Sequence, residues 1–228
     1  MNENKFKGIV LKLTDYKDAD KLASIFSLEH GVISAKFTGV KRENAKLKGI
    51  AQPFVLADFS IIERNNLRKI TTADLIDNFY TILTNYNKTI CGYIVLDIIK
   101  TILPAEKSEP DLFLLTINTL NSIENNNEYV ATIDYVLKFL TFTGLGQEFY
   151  NADYVYLDTL NGNFCLNRTN DCLTIDKKVY NVLKQINNFG AECKAENFNE
   201  STLKQALRLL NKIIYLKYGE EIKTFAFI

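Results

Sequence analysis

Residues 7 to 14 read KGIVLKLT. In an extended chain successive side chains point to opposite faces, so Ile9, Leu11 and Leu13 fall on one face and Lys12 on the other. That alternation predicts a half-buried strand, and the segments that follow repeat it. The polar turn DYKDAD (15–20) precedes KLASIFSL, Gly31 marks a turn into VISAKFT, and Gly39 ends that strand. Pro53 starts PFVLADFSIIER, which a turn at Asn65 and Asn66 joins to LRKITTADLID.

Five strands within about seventy residues predict a small closed or nearly closed barrel. Their lengths, and the long insertion between the third and fourth, suit an oligonucleotide-binding (OB) fold, although the periodicity alone also allows an SH3-like barrel. From residue 79 the period changes. Segments 86–103, 110–123 and 128–143 carry apolar residues three and four apart, such as Val130, Ile133, Val136, Leu137 and Leu140, and so predict amphipathic helices. Pro104 ends the first, Pro110 with Asp111 begins the second, ENNNE at 124–128 is a loop, and Gly144 ends the third. A short β-like patch follows in DYVYLD and GNFCLN with a turn at Asn161 and Gly162, then helices near 176–188 and 201–217. The expected class is α+β: a five-stranded OB-type barrel over 1–79, then a mainly helical domain over 80–228 with a small β-containing insertion at about 150–175.

Composition limits what this architecture can do. Twenty-seven basic residues balance twenty-seven acidic ones across 228 residues, with a pI near 6.6, which excludes an overall polycationic coat for nucleic acid. Any attraction for phosphate is local. The first 70 residues hold thirteen Lys and Arg against eight Asp and Glu, while the remaining 158 hold fourteen against nineteen. The excess concentrates in KFTGVKRENAKLK at 36–48, five cations and one acid between two strands of the barrel. Lys36, Lys41, Arg42, Lys46 and Lys48 are placed to follow a phosphodiester backbone, with Arg64, Arg68 and Lys69 supplied by the next hairpin, each neutralised phosphate releasing a condensed counterion. Phe37, Phe54 and Phe59 lie in or beside strands, where a phenylalanine belongs to a core more often than to a base-stacking platform.

Nothing in the chain reads as a reaction centre. The one histidine, His30, sits in the turn LEHG without a second histidine or a cysteine nearby, and no Walker-type loop, GxGxxG or HExxH occurs. No catalytic residue is assigned and no enzyme is expected. The acidic turn with Asp15, Asp18 and Asp20 lacks the glycine and terminal glutamate of a calcium loop and reads as a solvated turn. Cys165 and Cys172 are separated by six residues, Cys193 lies alone beyond them, and Cys91 sits inside a helical segment as a core residue. Structural zinc takes four ligands, usually in two close pairs, so no metal site is expected. Without a secretory n-region and h-region, the thiols are read as reduced and the protein as cytoplasmic. The most apolar stretch, ICGYIVLDIIKTIL, is cut by Asp97 and Lys100, and no membrane span is expected. In 201–217, Leu203, Ala206, Leu207, Leu210, Ile213 and Ile214 form an apolar face, flanked by a stripe of Lys204, Arg208 and Lys212 at every fourth residue.

These segments, in this order, resemble the bacterial recombination mediator RecO family. The carriers are the acidic turn Asp15 to Asp20, Phe26 to Gly31 (FSLEHG), Gly39 to Arg42, Gln52 to Phe54 (QPF), the helix end Leu103-Pro104, the helix start Pro110 to Phe113 and the closing YLKYGEEIKTFAFI. The resemblance covers nearly the whole chain. It implies an N-terminal OB domain, a helical domain and, in many members, zinc held by two CxxC pairs, neither of which is present here. It further implies a nucleoid-associated bacterial protein that binds single- and double-stranded DNA, anneals complementary strands and, with RecR, helps RecA replace single-strand-binding protein (SSB). The acidic SSB tail, with its apolar tip, would then dock on the helical region, where Lys204, Arg208 and Lys212 offer the best-placed rim. The alternatives are an OB-fold RNA-binding module and a protein adaptor without annealing activity.

Overall fold

The computed structural model describes residues 4–64, 67–193 and 198–228. Strands β1 (Asn4–Tyr16), β2 (Asp20–Ser27), β3 (Gly31–Phe37), β4 (Leu56–Arg64) and β5 (Leu67–Asp77) close into a barrel in the order β1-β2-β3-β5-β4, the OB-type arrangement. All neighbours are antiparallel except the closing pair, where β3 meets β5 in parallel with Lys36 opposite Lys69. The turn expected at Asn65 and Asn66 lies outside the described residues.

β1 serves two neighbours, pairing with β4 through Asn4–Ile9 and with β2 through Gly8–Tyr16. Gly8 sits where the two ladders overlap, and a Cβ there would stand 2.7 Å from the Ile25 methyl Cγ2, so the barrel closes only over a bare backbone. The register against β2 steps between Val10 and Lys12, leaving Leu11 as a bulge residue. The step changes which side chains face inward: Phe6 and Val10 before it, Leu13 after it, join Ile25, Ile33, Phe37, Phe59, Ile61 and Ile70 in the barrel core. Ile9, Leu11 and Leu13 therefore do not share one face. Ile9 and Leu11 are buried outside the barrel cluster, and the Phe26 ring opposite Ile9 packs on Phe113 with centroids 5.5 Å apart.

The chain divides into two compact units, Met1–Tyr80 with Ile98–Leu114, and Thr81–Asp97 with Leu115–Ile228. The first unit thus takes in the loop near 103–109 as well as the barrel. Glu106 donates its N–H to the Val32 carbonyl at 3.1 Å, and Ser108 Oγ donates to the Leu28 carbonyl at 2.9 Å. Gly31 makes this contact possible: its φ is +67°, and a Cβ there would lie 2.1 Å from the Lys107 carbonyl oxygen.

The helices are α1 (Tyr80–Thr84), α2 (Tyr86–Ile102), α3 (Pro110–Asn125), α4 (Glu128–Phe142), α5 (Lys177–Phe189) and α6 (Glu200–Tyr218), and all but the short α1 follow the apolar spacing. In the second unit α4 is central. Every side chain from Tyr129 to Leu140 except Lys138 is buried, and α5 and α6 pack on it. Each of the three starts on a side-chain cap, Asn127, Asp176 and Asn199. The β-like patch is a three-stranded sheet of β6 (Tyr156–Asp158), β7 (Phe164–Cys165) and β8 (Cys172–Thr174), ordered β7-β6-β8. Among the described residues no helix is long and apolar enough to cross a membrane.

Candidate nucleic-acid interface

Between β3 and β4 the basic segment folds into successive hydrogen-bonded turns. Arg42 donates its N–H to Gly39 O at 3.1 Å, Lys48 to Ala45 O at 3.1 Å, and Ile50 and Ala51 to Leu47 O at 3.1 and 3.0 Å. Val40, Leu47, Ile50 and Ala51 drop into the barrel core, so the segment is anchored by its apolar residues while its cations stay outside.

The acidic turn holds the base of this segment. Asp20 Oδ1 accepts the Gly39 N–H at 2.7 Å, and its Oδ2 lies 3.3 Å from Lys36 Nζ. Both side chains are largely buried, at 14% and 16% exposure. The Gly39 N–H, and after it Lys36, hold the Asp20 carboxyl below the usual carboxylate range. Next to it the Lys41 N–H donates to Ala19 O at 3.0 Å, and Lys41 Nζ pairs with Asp15 Oδ2 at 2.8 Å, which lowers the Asp15 pKa as well. Asp20 therefore carries a structural load, while Asp15 and Asp18 are exposed as a solvated turn requires.

The eight cations expected to contact DNA separate accordingly. Lys36 and Lys41 are engaged by Asp20 and Asp15. Arg68 pairs with Glu106 at 2.7 Å and Glu63 at 3.6 Å. Arg64 ends β4, and its side chain lies outside the described residues. Arg42, Lys46, Lys48 and Lys69 are exposed and make no ion pair among the described residues. Three of these four, Arg42, Lys46 and Lys69, line one cavity of about 720 Å³ together with one acid, Glu43, the apolar Val40, Leu47 and Ile70, and the polar Thr38, Asn44 and Thr71. Phe37, Phe54 and Phe59 are fully buried, so they pack rather than stack bases. A cleft of this kind can neutralise phosphates without reading sequence. His30 is exposed, its ring edge-on to Phe6 at 6.0 Å.

In the second unit the apolar face of α6 is complete as expected, and all six of its residues are buried in the helical core. The face is not an open groove. Lys204 pairs with Glu200 at 2.9 Å and stands over the Tyr129 ring at 5.5 Å, while Arg208 Nη2 donates to the Ile228 carbonyl at 3.0 Å. Lys212 is exposed and has no ion-pair partner among the described residues. Cys91 is buried in α2, and burial pushes its thiol up to about 12. Cys165 and Cys172 face each other with Sγ atoms 3.5 Å apart. Among the described residues no group of three or more His, Cys, Asp or Glu side chains converges, so the donor set, one pair of thiols, does not fit a four-thiolate zinc site.

The fold is an OB-type barrel with a cluster of exposed cations and a separate helical unit, and comparison with known proteins gives its family. Residues 1–79 match the family model for the recombination protein O N terminal region and residues 83–224 that for the C terminal region. Among named relatives, DNA repair protein RecO of Caldicellulosiruptor saccharolyticus is 26% identical over 208 residues, covering 90% of this chain and 78% of that protein. DNA repair protein RecO of Clostridium perfringens is 26% identical over 193 residues, 79% and 78%, and that of Clostridium acetobutylicum 27% over 179 residues, 77% and 68%. The chain belongs to the recombination protein O (RecO) family.

Proposed function

We propose that this chain acts in DNA repair as a recombination mediator: it binds single- and double-stranded DNA, anneals complementary strands and, with RecR, helps RecA replace SSB on gapped DNA. The observation that carries the reading is the set of cations, Arg42, Lys46 and Lys69, that make no ion pair among the described residues and line one cleft of an OB barrel. Annealing needs a surface that lowers the repulsion between two phosphate backbones without gripping bases, and cations beside buried aromatics supply that. Lys36, Lys41 and Arg68 are ion-paired and are not among the residues that line the cleft.

The acidic tail of SSB docks on the helical unit, where Lys212 is the member of the α6 stripe without an ion-pair partner among the described residues. The protein works in the cytoplasm on the nucleoid, performs no bond-making chemistry and folds without zinc. A strand-annealing assay with and without saturating SSB tests the reading, and annealing is expected in both. Stable capture of RNA without annealing of DNA would favour the RNA-binding module. Partner binding that survives neutralisation of the cleft, in a protein that never anneals, would favour the adaptor.

A further inference from the structure

The small sheet holds two thiols side by side. Cys165 ends β7 and Cys172 begins β8, on opposite sides of β6, yet their sulfurs lie 3.5 Å apart. Both donate to one acceptor, the Asn167 carbonyl, at 3.6 and 3.7 Å, and Thr169 Oγ1 stands 3.2 Å from Cys172 Sγ. All six residues between the two cysteines are exposed, so no packed side chain resists movement of the turn. The bonding distance of about 2.05 Å requires the sulfurs to approach by roughly 1.5 Å.

We propose that Cys165 and Cys172 form a reversible thiol–disulfide pair, oxidised by low-molecular-weight disulfides. The two sulfurs are not equivalent. The Thr169 hydroxyl and N–H hold the Cys172 thiol below the usual cysteine range, whereas burial, then the neighbouring Cys172, push Cys165 up to about 11. With the Thr169 hydroxyl 3.2 Å from Cys172 Sγ, where it can donate to a thiolate, Cys172 takes the part of nucleophile and Cys165 that of the resolving thiol. The Cys172 thiolate attacks one sulfur of the small disulfide, that S–S bond breaks, and one thiolate leaves and takes the Cys165 proton. The Cys165 thiolate then attacks the Cys172 sulfur of the mixed disulfide and expels the second thiolate, which takes from solvent the proton Cys172 had released. Two protein thiols are oxidised and one small disulfide is reduced to two thiols. Cys91, buried in its helix, and Cys193, its thiol raised by burial, stay out of the exchange.

The test equilibrates the full chain in glutathione buffers from fully reduced to fully oxidised, quenches with acid and alkylating reagent, and reads intact mass and a peptide map. The monomer is expected to lose the mass of two hydrogens, mapped to a Cys165–Cys172 bridge and reversed by dithiothreitol. Cys165→Ser is expected to stop at a glutathione adduct on Cys172, and Cys172→Ser to leave Cys165 reduced. The proposal is overturned if both thiols remain alkylatable in the most oxidising buffer, if Cys193 reacts first, or if the wild type stops at adducts without a bridge. The wild-type measurement needs no substitution, so it decides even where a serine variant fails to fold.

Discussion

Asp20 holds Gly39 across nineteen residues of sequence: its carboxylate accepts the Gly39 N–H at 2.7 Å where the basic segment leaves β3. The same carboxylate faces Lys36, so one acid fixes the backbone of the cleft and neutralises one of its cations. Asp20→Ala removes a charged acceptor from a half-buried N–H and is expected to cost about 1–3 kcal/mol at neutral pH, read by chemical denaturation. Because the folded pKa of Asp20 is lowered, its contribution is present above the unfolded carboxylate range, near about 3.9, and is lost as pH falls through the folded value. The difference between wild type and Asp20→Asn is therefore expected to shrink below about pH 4. A difference that stays constant from pH 7 into acid would remove the ionised clamp from the account.

Gly31→Ala introduces a side chain at φ +67° and drives its Cβ into the Lys107 backbone at 2.1 Å. The expected loss is about 2–5 kcal/mol, combining backbone strain with overpacking. Thermal and denaturant unfolding check it, and a variant as stable as wild type would show that the loop near 103–109 does not seat against the β2–β3 turn.

On α6 the two engaged residues and the free one are expected to behave differently. Lys212→Glu should weaken binding of an acidic peptide with an apolar tip, measured by fluorescence anisotropy, while leaving stability within about 0.5 kcal/mol of wild type. Arg208→Glu should lower stability as well, because it abandons the Ile228 carbonyl. Equal peptide affinity in wild type and Lys212→Glu would move the tail site off this helix, and Lys138 on α4, although ion-paired with Asp134 at 2.7 Å, is then the next cation to test.

Chelation tests the metal assignment. With one pair of thiols in place of four, extended exposure to a strong chelator is expected to leave the melting temperature unchanged. Stoichiometric zinc in protein purified without added metal would contradict it.

Much of this architecture was legible in the sequence because it rests on periodicity. Alternation located the strands of the barrel, and the spacing of Val130 to Leu140 located α4, with Asn127 at the end of the polar ENNNE run capping it. What was not legible depends on contacts distant in sequence or on breaks in the period. The bulge at Leu11 turned an apparent one-faced alternation into a strand covered on both sides. The structural part of Asp20 was hidden because its partners, Gly39 and Lys36, follow sixteen or more residues later. Lys36, Lys41 and Arg68 counted as free cations in composition, and only their neighbours show them engaged. The stripe on α6 was correctly periodic, yet its apolar face is core. Cys165 and Cys172 meet where the turn between them folds over the Asn167 carbonyl, and nothing in their spacing announced it.

On the proposed reading, the cations lining the barrel cleft, and not the ion-paired ones beside them, contact phosphate. The direct test is the dependence of single-stranded DNA affinity on salt for wild type, for Arg42→Ala/Lys46→Ala/Lys69→Ala and for Lys36→Ala/Lys41→Ala/Arg68→Ala. The first variant is expected to fold normally and to lose affinity, with a log–log salt slope shallower by up to about 0.7 per removed contact. The second should lose stability while a folded fraction keeps a slope close to wild type. An unchanged slope and affinity in the folded cleft variant, or the larger slope change in the ion-paired set, would place the phosphate contacts elsewhere.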